Sequence, residues 1–121
     1  MSAPAKTWPT DLAFDRAARA LVITFEDGAR FDIPFELLRV SSPSAEVKGH
    51  GRGDAKLVAG KKGVGVTRAE PVGRYAVRIV FDDGHDSGLY SWDLLRDLGA
   101  NRDKRMSDYL AALTKAGLSR D

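Results

Sequence analysis

Apolar and polar positions alternate along two stretches of this chain, and the two stretches match. In residues 20–39 (ALVITFEDGARFDIPFELLR), Leu21, Ile23 and Phe25 alternate with Val22, Thr24 and Glu26, and this period of two predicts a half-buried strand. Asp27-Gly28 predicts a tight turn, because glycine tolerates positive φ and the Asp carboxylate bonds nearby backbone. Phe31 and Ile33 alternate again on a return strand. Pro34 then suits the start of a short helix, where its missing N–H would have no partner anyway. Residues 76–96 (AVRIVFDDGHDSGLYSWDLLR) repeat the whole series: strand, Asp83-Gly84 turn, short return strand at Leu89 and Tyr90, then a helix opened by Ser91 as N-cap with Asp93 in its first turn.

The offset is 56 residues up to Gly28/Gly84 and 57 from Phe35/Trp92 onward, so one residue has been inserted. Internal similarity of this length predicts two copies of one structural unit. A short strand is expected ahead of the first copy at residues 12–15, and another strand and turn at 67–71. Met106, Tyr109, Leu110 and Leu113 fall at i, i+3, i+4 and i+7, one apolar stripe of a helix over about 103–115 that Gly117 ends. The expected fold is α+β: a β-rich single domain with two hairpin-plus-short-helix units and a C-terminal amphipathic helix. Residues 1–8 read as a flexible lead, 9–99 as the domain body and 100–121 as a helix packed on it.

Composition narrows the function classes. The 121 residues carry 19 Lys and Arg against 17 Asp and Glu, too balanced for a general nucleic-acid binder. Cysteine is absent, which removes disulfides, thiolate nucleophiles, zinc thiolate sites and cluster ligation by this chain's own sulfur. No apolar run approaches the ~20 residues needed to cross a bilayer. The opening MSAPAKTWPT lacks the apolar core of a signal peptide, and a cytoplasmic location is expected.

The copies differ where chemistry is richest. The second carries His85, Asp86 and Ser87 after its turn, where the first has only Ala29, Arg30 and Asp32. An imidazole among carboxylates suits a divalent metal, and the candidate ligands are His85, His50, Glu46 and Asp83, provided the fold brings the two histidines together. A Ser-His-Asp relay from Ser42 or Ser87 with His85 and Asp83 lacks the G-x-S-x-G elbow, so no catalytic residue is assigned. Between the copies, residues 41–65 are rich in glycine and lysine and read as a strand pair or long exposed loop. Gly53, Gly60, Lys61 and Lys62 miss the spacing of a phosphate loop, which needs four residues between glycines and a hydroxyl after the lysine.

The strings LRVSSPSAEV (38–47), GHG (49–51), VGRYA (72–76) and FDDGHDSGLYSW (81–92) resemble the DUF971 family, the small domain also found at the N-terminus of gamma-butyrobetaine hydroxylase, here in the stand-alone bacterial form. The resemblance covers about residues 9–99 and implies a β-rich α+β domain. In the hydroxylase this domain binds a structural zinc through three Cys and one His. By position those ligands fall on Ser42, Ser44, Val47 and His85, so three are replaced, the zinc site is expected to be lost, and no cofactor is expected. A hydrogen-bonded group of Ser42, Ser44 and His85 is expected in that corner. The stand-alone form is expected to lack the catalytic iron domain. Fusion of similar domains to P-loop cluster carriers implies an accessory role in iron–sulfur assembly. The expected function is therefore a non-catalytic accessory or protein-interaction domain linked to iron–sulfur or other metalloproteins, with Ser42, Ser44, Glu46, His50, Lys61, Lys62 and His85 as the partner-binding set. The alternative is a metal-binding protein using His85 with His50 and nearby carboxylates.

Overall fold

The computed structural model describes residues 8–42, 57–86 and 88–121. Strands β1 (Pro9–Asp15), β2 (Ala20–Phe25) and β3 (Arg30–Pro34) form one antiparallel sheet in chain order, and helix α1 (Phe35–Val40) follows it. Strands β4 (Val66–Val72), β5 (Ala76–Phe81) and β6 (Leu89–Ser91) form a second antiparallel sheet, followed by α2 (Trp92–Ala100) and α3 (Arg102–Ala116). This is the expected α+β architecture. The first strand starts earlier than its apolar pattern suggested, and residues 57–65 form no strand.

The strands alternate as their sequences predict. Leu21, Ile23 and Phe25 on β2, and Val77, Ile79 and Phe81 on β5, are all buried and meet in one core with Ile33, Leu38, Tyr90, Leu95 and Leu98. The turn glycines carry the left-handed backbone that only glycine adopts without strain, at φ 90° for Gly28 and 94° for Gly84. Both turns close by the same pair of bonds: Phe25 N–H to Ala29 O and Gly28 N–H to Phe25 O in one, Phe81 N–H to His85 O and Gly84 N–H to Phe81 O in the other.

The internal repeat reaches further in the structure than in the sequence. Strands β1 and β4 share little side-chain pattern (PTDLAFD against VTRAEPV), yet each pairs with the next strand in the same register. Pro9 lies opposite Phe25 and Val66 opposite Phe81, and each ladder shifts register at its second residue. Glu26 N–H bonds Trp8 O as Asp82 N–H bonds Gly65 O, and Phe35 N–H bonds Arg19 O as Trp92 N–H bonds Tyr75 O. Backbone pairing is indifferent to side-chain identity, so a duplicated ladder persists after the sequence signal is gone.

An apolar groove of about 450 Å³ opens between β1 and β4, lined by Leu12, Phe14, Ala69, Pro71, Val77 and Trp92 among others. The bulges and prolines on both bordering strands are features that discourage strand addition. On the other side, α2 leans across β3, and α3 buries Tyr109 and Leu113 of its predicted stripe. Of the expected lead, residues 1–7 lie outside the described residues, while the Trp8 ring rests 5.5 Å from that of Tyr75.

Candidate functional site

The two units interlock at two corners built from equivalent residues with their roles exchanged. At one corner Arg96 of the second unit meets Asp27 of the first, with Nη2 2.7 Å from Oδ2. At the other, Arg39 of the first unit meets Asp83 of the second, with Nε 2.8 Å from Oδ2. Asp27 and Asp83 are equivalent in the repeat, and so are Arg39 and Arg96. Reciprocal contacts of this kind are what a twofold relation between two units produces.

The same scaffold is filled differently at each corner. Around Arg96 the filling is aromatic: Phe25 and Phe31 meet edge to face, and the guanidinium lies 5.0 Å and 5.8 Å from their centroids. Gly99 makes room for this, since a Cβ there would run into Phe31. Around Arg39 the equivalent of Phe31 is Gly88, and the equivalent of Gly99 is Ser42. A Cβ at Gly88 would strike Ser42 Oγ and approach Tyr90 Cε1 to 3.1 Å. The space opened by losing the phenyl ring holds the imidazole of His85, whose centroid lies 6.1 Å from Phe81, the same separation as between Phe31 and Phe25. An apolar, cation-capped plug in one corner is a polar cluster in the other.

In that polar corner Ser42 Oγ stands 2.8 Å from His85 Nε2. The His85 backbone N–H donates to Asp83 Oδ1 at 3.0 Å, which fixes the imidazole-bearing turn. Asp83 Oδ2 takes both Arg39 and the Lys61 ammonium, the latter at 2.6 Å. Burial by itself would raise the Asp83 carboxyl, but the Lys61 ammonium, the His85 N–H and Arg39 together hold it well below the usual carboxylate range. The corner is the drier of the two: side-chain exposure is 14% and 20% for Arg39 and Asp83, against 35% and 46% for Arg96 and Asp27.

Tyr90 closes the floor. Helix α1 is so short that its carbonyls run out of partners, and Ser42 N–H, the natural donor for Leu38 O, turns instead to Arg39 O. The Tyr90 hydroxyl donates to Leu38 O at 2.5 Å from the opposite unit, and burial pushes that phenol up beyond its ordinary value, so it stays a donor. In the first unit the equivalent position is Ile33, which needs no hydroxyl because α2 runs longer past Leu95.

Of the residues expected at a site, Ser42 and His85 are in contact and Asp83 and Lys61 stand beside them. Lys62 is exposed, with its backbone N–H bonded to Arg120 O. Ser44, Glu46 and His50, along with Ser87, lie outside the described residues. Among the described residues no group of three or more His, Cys, Asp or Glu side chains is placed to hold a metal ion. Arg39, Gly88 and Tyr90 escaped the reading of motifs, although the repeat marks them: Arg39 aligns with Arg96, Gly88 with Phe31 and Tyr90 with Ile33.

Comparison with known families places the chain. Residues 12–96 match the family model of the gamma-butyrobetaine hydroxylase-like N-terminal domain. The protein belongs to this family. Two solution NMR structures are similar to it. One is 44% identical over 97% of this chain and 92% of the other, with a TM-score of 0.84. The second is 50% identical over 95% of this chain and 86% of the other, with a TM-score of 0.82. A crystal structure of a DUF971-family protein of unknown function from Acidithiobacillus ferrooxidans is 34% identical over 74% of this chain and 90% of the other, with a TM-score of 0.63. No curated protein matches the chain. No helix among the described residues is long and apolar enough to cross a membrane. At Ser42, one of the positions where the resemblance implies a zinc thiolate, the side chain is a neutral hydroxyl, a poor zinc ligand, and it lies 2.8 Å from His85 Nε2.

Proposed function

We propose that this protein is a non-catalytic accessory domain of the cytoplasm that captures a protein partner through the Ser42–His85 corner. The observation that carries the reading is the contrast between the two corners. One scaffold, used twice in one chain, is filled with Phe31 and Gly99 on one side and with serine, histidine and two cations on the other. Packing alone is served by the aromatic plug, so the departure from it marks the surface under a second demand. Asp83 is engaged as an anchor for Lys61, Arg39 and the His85 turn, a use that suits it to positioning rather than to proton transfer. Lys61 and Lys62 would steer an acidic partner, an effect that weakens with salt. The resemblance to domains fused to P-loop cluster carriers makes iron–sulfur and other metalloproteins the partner class to test.

The test is affinity capture from native extract with wild type, His85→Ala and Arg96→Ala, quantified by mass spectrometry. A partner retained by Arg96→Ala and lost by His85→Ala supports the reading, whereas equal recovery by all three sinks it. The metal-binding alternative, with His85, His50, Glu46 and Asp83 as ligands, draws on the closeness of His85 to Ser42, from which the chain runs on towards Glu46 and His50. Elemental analysis after exposure to zinc or ferrous iron separates the two: near-stoichiometric metal that falls in His85→Ala selects the alternative, and background metal in both proteins removes it.

A further inference from the structure

Glu36, in the first turn of α1, is a buried charged side chain, 5% exposed. Its partner comes from 84 residues further along: Arg120 Nη2 lies 2.6 Å from Oε1, and Nε lies 3.1 Å and 3.3 Å from the two oxygens. The carboxylate is buried while the guanidinium is 38% exposed, so the pair gains little net stability, but it holds whatever carries its two ends in one geometry. What it holds here is a strap. Gly117, left-handed at φ 73°, ends α3 and turns the chain, and residues 118–121 then lie along residues 60–62. Gly60 N–H donates to Ser119 O at 2.9 Å and Lys62 N–H to Arg120 O at 3.0 Å.

Those two bonds bracket Lys61, the residue whose ammonium grips Asp83. Asp83 in turn receives the His85 N–H, and His85 meets Ser42. A continuous set of contacts therefore runs from the buried carboxylate of α1, through the C-terminal strap and the 60–62 segment, to the imidazole of the polar corner. Among the described residues the opposite corner shows no such connection: its Asp27 holds the Ala29 N–H at 3.1 Å, just as Asp83 holds that of His85, and takes Arg96.

We propose that the C-terminal strap, anchored by Arg120 on Glu36, is the positioning element of the Ser42–His85 corner, so that lifting the strap loosens the corner. Its importance for partner capture rests on the interaction reading above; the coupling itself does not. A partner that grasped the strap would then alter the corner without touching it, which makes the strap a control point within the fold.

Amide hydrogen exchange by NMR tests this on the full chain. Two variants are compared with wild type: Arg120→Gln, and Glu36→Met combined with Arg120→Ala, which leaves no unpaired buried charge should the first fail to fold. Exchange at Gly60 and Lys62 is expected to rise at least about tenfold and at His85 at least about threefold, while Ala29 in the equivalent turn stays within about twofold. Fast exchange at Gly60 and Lys62 with His85 unchanged would overturn the coupling. So would continued protection of Gly60 and Lys62, or an equal rise at His85 and Ala29. None of these readouts requires a partner, so their failure and the failure of partner capture are told apart.

Discussion

Replacing Tyr90 by Phe removes one oxygen from the centre of this molecule and tests how the two units are joined. Tyr90 is fully buried, and its hydroxyl supplies the hydrogen bond given to Leu38 O across the unit boundary. Phenylalanine keeps the ring and nearly all the buried apolar area, so the change removes only the hydroxyl's hydrogen bonds, to Leu38 O and with the Ser42 side chain. The carbonyl left behind sits at the end of a six-residue helix whose next amide is already engaged with Arg39 O at 3.3 Å. An unsatisfied buried acceptor costs about 1–3 kcal/mol. With a urea slope of about 2 kcal/mol/M for a domain of this size, the midpoint should fall by ~0.5–1.5 M at unchanged slope. In calorimetry each kcal/mol should lower the melting temperature by roughly 4 °C. Tyr75→Phe is the control, because that ring is 64% exposed, and its midpoint should stay near wild type. A Tyr90→Phe midpoint within about 0.2 M of wild type would refute the reading that Leu38 O of α1 relies on the second unit for its donor.

Two further outcomes follow from the corners. Asp83 titrates below its ordinary value in the folded protein, so its contribution is present above the unfolded carboxylate value and is lost as pH falls through the lower, folded one. Urea midpoints of wild type and Asp83→Asn should therefore differ most above about pH 5 and converge toward pH 2, and a pH-independent difference would contradict the ion-pair assignment. Gly99→Ala gains about 1 kcal/mol of helix propensity but drives its methyl group into Phe31, at an overpacking cost of about 1–3 kcal/mol. It should melt below wild type, whereas in a Phe31→Ala background the same change should raise the melting point, and a Gly99→Ala protein that melts higher would show that Phe31 yields freely.

Much of the fold is legible in the sequence. The period-two alternation around Ile23 and Ile79 sets which faces are buried, and Asp27-Gly28 and Asp83-Gly84 set the turns, because both signals act over a few residues and depend on side-chain type. The repeat showed that this information is written twice, and the quoted strings around Ser42 and His85 pointed to the family and to the polar corner. Tertiary structure decided what those local signals do not encode. It matched β1 with β4 through backbone bonds that leave no mark on side chains. It exchanged the partners of equivalent residues, so that Arg39 answers Asp83 and Arg96 answers Asp27 across the unit boundary. It also laid Arg120 on Glu36 and the strap along residues 60–62, joining ends of the chain that share no local pattern. Strands and turns are chosen by neighbours in sequence, whereas ion pairs, caps and packed glycines are chosen by neighbours in space. The character of the Ser42–His85 corner belongs to the second kind, which only the folded chain assembles.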